Sequence, residues 1–242
     1  MYGPLCTEFY DASKPSAPAE ELDVYHTILD KNETILEAMC GSGRLLIPLL
    51  QNGYRIDGID VSADMLQSCQ TRAAHLGFDP NLIKSSLEDA QLNRQYDTVI
   101  IAIGSFQLFY PRAQAFTALE ALKRLIKPNG RLILDTFVPW TFLNESVDVF
   151  TEEREVTIGE NHVIKMFGED KPNKEEQYYF ETNTYTKIVD GRVVATEKEQ
   201  MNICWYYRYE LELILERHGF RDIVSRPVDF SDSKRTFFIS SL

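Results

Sequence analysis

The stretch Ile35-Leu36-Glu37-Ala38-Met39-Cys40-Gly41-Ser42-Gly43-Arg44, running on into Leu45-Leu46-Ile47, decides how the rest of the chain is read. An apolar run of strand length closes on a carboxylate, passes two glycines and enters apolar residues suited to a helix. Glycines at such a turn let the backbone approach a ligand where a Cβ would collide. The next apolar stretch, Tyr54-Arg55-Ile56-Asp57-Gly58-Ile59, ends on Asp60, seventeen positions after Gly43. There the second strand of a βαβ unit presents a carboxylate to a ribose. A glycine pair alone would fit any α/β turn; the second acid in register makes this a candidate nucleoside site.

With Glu37, Gly41 and Gly43 as an acid followed by alternate glycines, the stretch resembles the class I S-adenosylmethionine-dependent methyltransferases. Met39 stands where that family usually has its first glycine. Gly58-Ile59-Asp60-Val61-Ser62-Ala63-Asp64-Met65-Leu66 is similar to the family's second signature. The resemblance implies that Asp60 holds the ribose hydroxyls and that Val61 and Met65 pack on the adenine, with Cys40 inside the glycine turn. A nicotinamide-binding oxidoreductase would need G-x-G-x-x-G, and position 46 is Leu46.

Composition narrows the partners. The chain has 242 residues, 44% hydrophobic and 26% charged, enough for one domain or one domain with an elaboration. A formal net charge of −12 repels phosphate backbones, so nucleic acid is not the expected substrate. Lys123, Arg124 and Lys127 form the nearest basic cluster and read as a solvated helix face. Cys6, Cys40, Cys69 and Cys204 show no metal-ligand spacing and the four histidines are scattered, so no metal is expected. No apolar run approaches membrane-span length and no signal-peptide pattern opens the chain, so the expected location is a reducing cytoplasm, without a membrane.

Residues 1–17 read as an arm, with Pro4 and Pro15 and little periodicity, and a helix follows over 20–29; together, as residues 1–33, they are expected to act as a lid. Strands are expected at 34–38, 55–60, near 81–84, at 96–103 and 131–137. Helices are expected over 44–52, 62–75 with Ser62 as N-cap, 112–126 and 209–218, and two last strands at 221–228 and 235–241. The run Tyr96 to Ile103 has the continuous apolar character of a strand buried on both faces of a parallel sheet. It empties into Gly104-Ser105-Phe106, a loop placed by the doubly wound architecture at the ligand-binding edge. By the resemblance, Leu87 and Glu88 contact the adenine edge, Ile103 and Gly104 complete the donor site, and Ser86 stands where an acid is common.

Between about 151 and 206 the pattern alternates and is rich in Thr and Tyr, which predicts antiparallel strands. Asp190-Gly191 predicts a type I′ hairpin turn, with paired positions summing to 381, so that Phe180 faces Met201 and Tyr178 faces Ile203 on a buried side shared with Ile188 and Val193. The expected fold is therefore α/β, a doubly wound seven-stranded mostly parallel sheet built from 34–139 and 206–242. Residues 140–205 form an antiparallel β insertion between strand five and the last helix. That insertion is expected to roof the acceptor site or to serve as a dimer surface, in a monomer or homodimer. Tyr10, Ser105, Phe106, Phe137, Trp140 and Tyr206 are the candidate acceptor-lining residues.

Methyl transfer from a sulfonium needs mainly in-line positioning, so the absence of an obvious catalytic cluster does not count against it, and no catalytic residue is singled out. The expectation is transfer from S-adenosylmethionine to nitrogen or oxygen of a small molecule. An oxidoreductase and a non-catalytic donor-binding protein of the same fold stay open.

Overall fold

Continuous apolar runs form the centre of a seven-stranded sheet, and the alternating segment forms a second sheet beside it. The computed structural model describes residues 2–231 and 233–242. In the first sheet β1 (Thr34–Ala38), β2 (Arg55–Asp60), β3 (Leu82–Lys84), β4 (Tyr96–Ile101), β5 (Ile126–Thr136), β10 (Arg221–Asp229) and β11 (Lys234–Ser241) lie in the order β10-β11-β5-β4-β1-β2-β3. β3, β2, β1, β4 and β5 run parallel, and β11 inserts antiparallel between β5 and β10. Leu36, Val99, Ile101, Leu132 and Leu134 point into one apolar layer and Ile35, Ile56, Ile100 and Ile133 into the other, which is why these strands read as unbroken hydrophobic runs. Helices α3 (Leu46–Gln51), α4 (Ala63–His75), α5 (Arg112–Leu125) and α7 (Arg208–Arg217) are the connections. At the start of α4 the Met65 N–H donates to Ser62 Oγ at 3.2 Å, the expected cap.

The N-terminal segment differs from the expected arm. α1 (Pro4–Ser13) precedes α2 (Ala19–Ile28), and Leu5, Cys6 and Phe9 are buried. Pro4 sits in the first turn, where its missing N–H is no loss. The Leu5 and Cys6 amides donate to Glu197 Oε2 and Oε1 at 3.0 and 3.1 Å, a cap supplied from 192 and 191 residues away that local periodicity does not carry.

The second sheet has the order β6 (Phe150–Gly159), β7 (His162–Asn173), β8 (Tyr178–Val189) and β9 (Arg192–Cys204), all antiparallel, entered through the short α6 (Trp140–Asn144). Asp190 and Gly191 both have positive φ, 49° and 75°, as a type I′ turn requires. The expected register holds only for Val189↔Arg192 and Ile188↔Val193. A bulge then shifts it by one, and Lys187 pairs with Ala195. Phe180 therefore pairs with Asn202 and Tyr178 with Cys204, while Tyr179 faces Ile203 and Glu181 faces Met201. Phe180 and Met201 lie on opposite faces, contrary to expectation, and Val193 is exposed.

Candidate active site

At the carboxyl ends of β1, β2 and β4 the backbone turns sharply and opens a cavity of about 570 Å³. Met39, Gly41, Ile103 and Gly104 have φ of 59°, 53°, 53° and 71°. The position the resemblance assigns to a first glycine is thus a left-handed one, held here by Met39. Asp60 shapes the turn: the Gly41 N–H donates to its Oδ2 and the Ser62 N–H to its Oδ1, both at 2.8 Å. Burial raises the Asp60 carboxyl, against the lowering effect of those amides. Glu37 is buried on the same side and its Oε2 has no hydrogen-bond partner among the described residues. Burial pushes its carboxyl well up, opposed by the Arg44 guanidinium.

A buried ion network fixes the rim. Arg44 Nη2 donates to Glu21 Oε2 at 2.5 Å, Arg235 Nη2 lies 2.9 Å from the same carboxylate, and Arg235 Nη1 lies 3.1 Å from Asp135 Oδ2. Asp135 Oδ1 in turn accepts the Ile103 N–H at 2.7 Å, so α2, β5 and β11 together hold the left-handed Ile103–Gly104 turn. Gln107, fully buried, donates to the carbonyls of Phe137 and Cys204 and accepts the Phe137 N–H, tying this loop to the ends of β5 and β9.

Most candidate residues meet here. Glu37, Cys40, Gly41, Asp60, Val61, Met65, Leu87, Glu88, Ile103 and Gly104 all line the cavity, as do Tyr10, Ser105 and Phe137. Four do not. A Cβ on Gly43 would lie 2.5 Å from Cys69 Sγ and 3.0 Å from Ile47, so this glycine serves helix packing. Phe106 and Tyr206 are buried in the core against each other, their ring centroids 5.7 Å apart. Trp140 is exposed and lies against Tyr207. Aromatic composition in these loops marks packing as readily as a pocket wall. The opposite wall was missed: Tyr179, Glu181, Asn183 and Tyr185 of β8 and Glu199, Met201 and Ile203 of β9 line the cavity too. Their signal was a spacing of two, but an unbulged hairpin register puts the alternate set, with Phe180 and Tyr178, on the buried side.

The site fits S-adenosylmethionine on its own geometry. Glu37 Oε2 is a buried acceptor with no partner among the described residues, as a ligand's cationic end requires, and Asp60, held by two amides, keeps lone pairs of the kind that ribose hydroxyls need. A Cβ on Gly41 would meet only Met65 Sδ, at 3.9 Å, and so would project into the space a donor needs. Residues 35–130 match the family described as "Methyltransferase domain". Residues 35–130 are therefore a methyltransferase domain, and the chain as a whole has the fold of S-adenosylmethionine-dependent methyltransferases. The CcbJ methyltransferase of Streptomyces caelestis superposes with a TM-score of 0.76 at 17% identity, covering 99% of this chain and 96% of that one. CalS10 of Micromonospora echinaspora, an amino pentose methyltransferase solved with S-adenosylmethionine bound, gives 0.71 at 16%, covering 100% and 98%. A ubiquinone biosynthesis O-methyltransferase of Rickettsia akari is 29% identical over 117 residues, 46% of this chain and 43% of that one. The chain spans about half the length of the first curated relatives it matches. Among the described residues no helix is long and apolar enough to cross a membrane.

Proposed function

We propose that this methyltransferase domain transfers the methyl group of S-adenosylmethionine to nitrogen or oxygen of a small molecule. The donor half is carried by 34–139 and 206–242, and the acceptor half by 140–205 with the N-terminal 1–33. The supporting observation is the two-sided cavity: donor motifs on one wall, and side chains of the second sheet and of α1 on the other. Its size lies in the range that surrounds a small organic molecule. CcbJ and CalS10 superpose on this chain over nearly its whole length, second sheet included, and CalS10 is an amino pentose methyltransferase.

When bound, the donor supplies an activated methyl on a sulfonium. The chain's part is to hold donor and acceptor in line and keep water out. Glu37 and Asp60 anchor the methionine and ribose ends, and the Ile103–Gly104 turn sets the floor. α1 closes the cavity between Phe9, whose ring lies tilted against Tyr185 with centroids 5.3 Å apart, and Tyr10 on the rim. Calorimetric titration with S-adenosylhomocysteine, followed by transfer of labelled methyl to a panel of small amines and alcohols, tests the reading. No binding of the product, or label appearing only on macromolecules, would refute it.

A further inference from the structure

The cavity wall supplied by the second sheet is chemically uneven, and the unevenness follows the strand. Along β8 the cavity-facing side chains come in the order Tyr179, Glu181, Asn183, Tyr185. Tyr179 packs with Leu108 and Phe137 at the loops that carry the donor's reactive end. Tyr185 packs with Phe9 and Cys6 of α1. Glu181 thus stands one side-chain repeat from the donor's loops, in the interior of the cavity. Asn183 Nδ2 donates to its Oε1 at 2.6 Å, while Oε2 accepts no hydrogen bond among the described residues.

The charges around it favour a cation. Five carboxylates line the cavity, Glu37, Asp60, Glu88, Glu181 and Glu199, against Lys14, Arg44 and Arg154. Arg44 is engaged by Glu21, and Arg154 by Glu152 at 3.0 Å. Glu199 is engaged by Cys6 Sγ at 3.1 Å, which leaves Glu181 as the carboxylate on this wall with an oxygen to offer.

Resting on the methyltransferase reading above, we propose that the acceptor is an amine and that Glu181 binds its nitrogen and takes its proton. The amine nitrogen forms its bond to the methyl carbon as the carbon–sulfur bond breaks. The bonding pair returns to sulfur, leaving a neutral thioether, and the surplus proton on nitrogen passes to the Glu181 carboxylate. Desolvation, the Asp170 and Glu199 charges and the opposing Asn183 hydrogen bond and Arg154 charge together place this carboxyl at about 7, where a base is half loaded at neutral pH.

Sinefungin reads this site without knowledge of the acceptor, because in it an ammonium-bearing carbon replaces the methylsulfonium of S-adenosylmethionine. Binding of sinefungin and of S-adenosylhomocysteine is measured by calorimetry on the wild type and on Glu181→Gln, at pH 6 and pH 8. The wild type is expected to prefer sinefungin by about tenfold at pH 8, as one charge-assisted hydrogen bond allows, and to lose most of that preference at pH 6. Glu181→Gln is expected to abolish the preference while binding S-adenosylhomocysteine normally. A preference that survives the substitution, or one that does not change with pH, overturns the proposal. If Glu181→Gln does not fold, the pH series on the wild type decides alone. If the wild type binds neither compound, the donor reading fails and the proposal falls with it.

Discussion

Gly41 and Gly43 look alike in sequence, and the structure gives them opposite consequences. Both have positive φ, 53° and 80°, so alanine at either position incurs left-handed strain of about 1–2 kcal/mol. At Gly41 that is nearly the whole effect on stability, since the nearest atom to an added Cβ is Met65 Sδ at 3.9 Å. At Gly43 the Cβ would lie 2.5 Å from Cys69 Sγ and 3.0 Å from Ile47, all inside a closed helix contact. Such overpacking adds about 1–3 kcal/mol. For a chain of this length 1 kcal/mol corresponds to roughly 2–4 °C in Tm. Gly41→Ala should therefore melt roughly 2–8 °C below the wild type, and Gly43→Ala roughly 4–20 °C below it. Donor binding should show the reverse order. In Gly41→Ala the methyl occupies the donor's space, and the same 1–3 kcal/mol of overpacking weakens S-adenosylhomocysteine by roughly 5- to 150-fold. Folded Gly43→Ala should bind it nearly as the wild type does. Thermal melts and calorimetry on both variants make the check. Normal binding by Gly41→Ala, or lost binding by a Gly43→Ala variant of unchanged stability, would refute the division of roles.

Asp60→Ala removes the acceptor aimed at the ribose hydroxyls, whose charge-assisted bonds are worth roughly 1.5–3 kcal/mol; S-adenosylhomocysteine should bind at least about tenfold more weakly by calorimetry. Ligand-free stability should fall as pH rises from 5 to 7.5, because Asp135 and Asp170 are pushed up to about 6 and Glu181 to about 7, chiefly by burial. A raised carboxyl keeps its proton in the fold after the unfolded chain has released it. Its contribution is therefore complete below about pH 4 and lost as pH climbs through the folded value, about 1–2 kcal/mol per group over this range. Urea unfolding at the two pH values tests this, and a midpoint that rises instead would contradict the burial argument.

The parallel core was legible because its physical constraints are local. A strand buried on both faces has no polar positions to spare, so Tyr96 to Ile101 could be read as a strand without its neighbours. The donor turn was legible for the same reason. Left-handed backbone, a capping Ser62 and two carboxylates at strand ends are each dictated by residues within a few positions of one another. What escaped depends on distant partners. α1 is capped by Glu197, and Tyr206 and Phe106 are drawn inward by each other. Composition shows that an aromatic will be covered; it does not show whether core or ligand covers it.

The hairpin bulge is the clearest case, and removing it gives a last prediction. β7 and β8 pair without a break from His162↔Val189 to Asn173↔Tyr178, so the facing of β8 is set independently of β9. The extra residue lies on β9, between Val193 and Ala195, and is Val194. Deleting Val194 closes the bulge and makes Val193 and Ala195 consecutive, so Lys187↔Ala195 and every later pair stay in place and β9 keeps its facing. Glu197 should then still accept the Leu5 and Cys6 amides, and Glu199 should keep Cys6. A one-residue slip of β9 would instead turn Glu197 away from α1, and loss of that cap alone is worth about 1 kcal/mol. Burial of Leu5, Cys6 and Phe9 against this sheet adds to what a slip would lose. The seven-stranded core should be indifferent to either outcome, because no strand of that sheet pairs with β9. The deletion variant should therefore resist protease within residues 4–13 as the wild type does, with amide exchange of β1, β4 and β5 unchanged. Cleavage of α1 in the variant alone would mean that β9 had slipped and that β8 does not fix its facing.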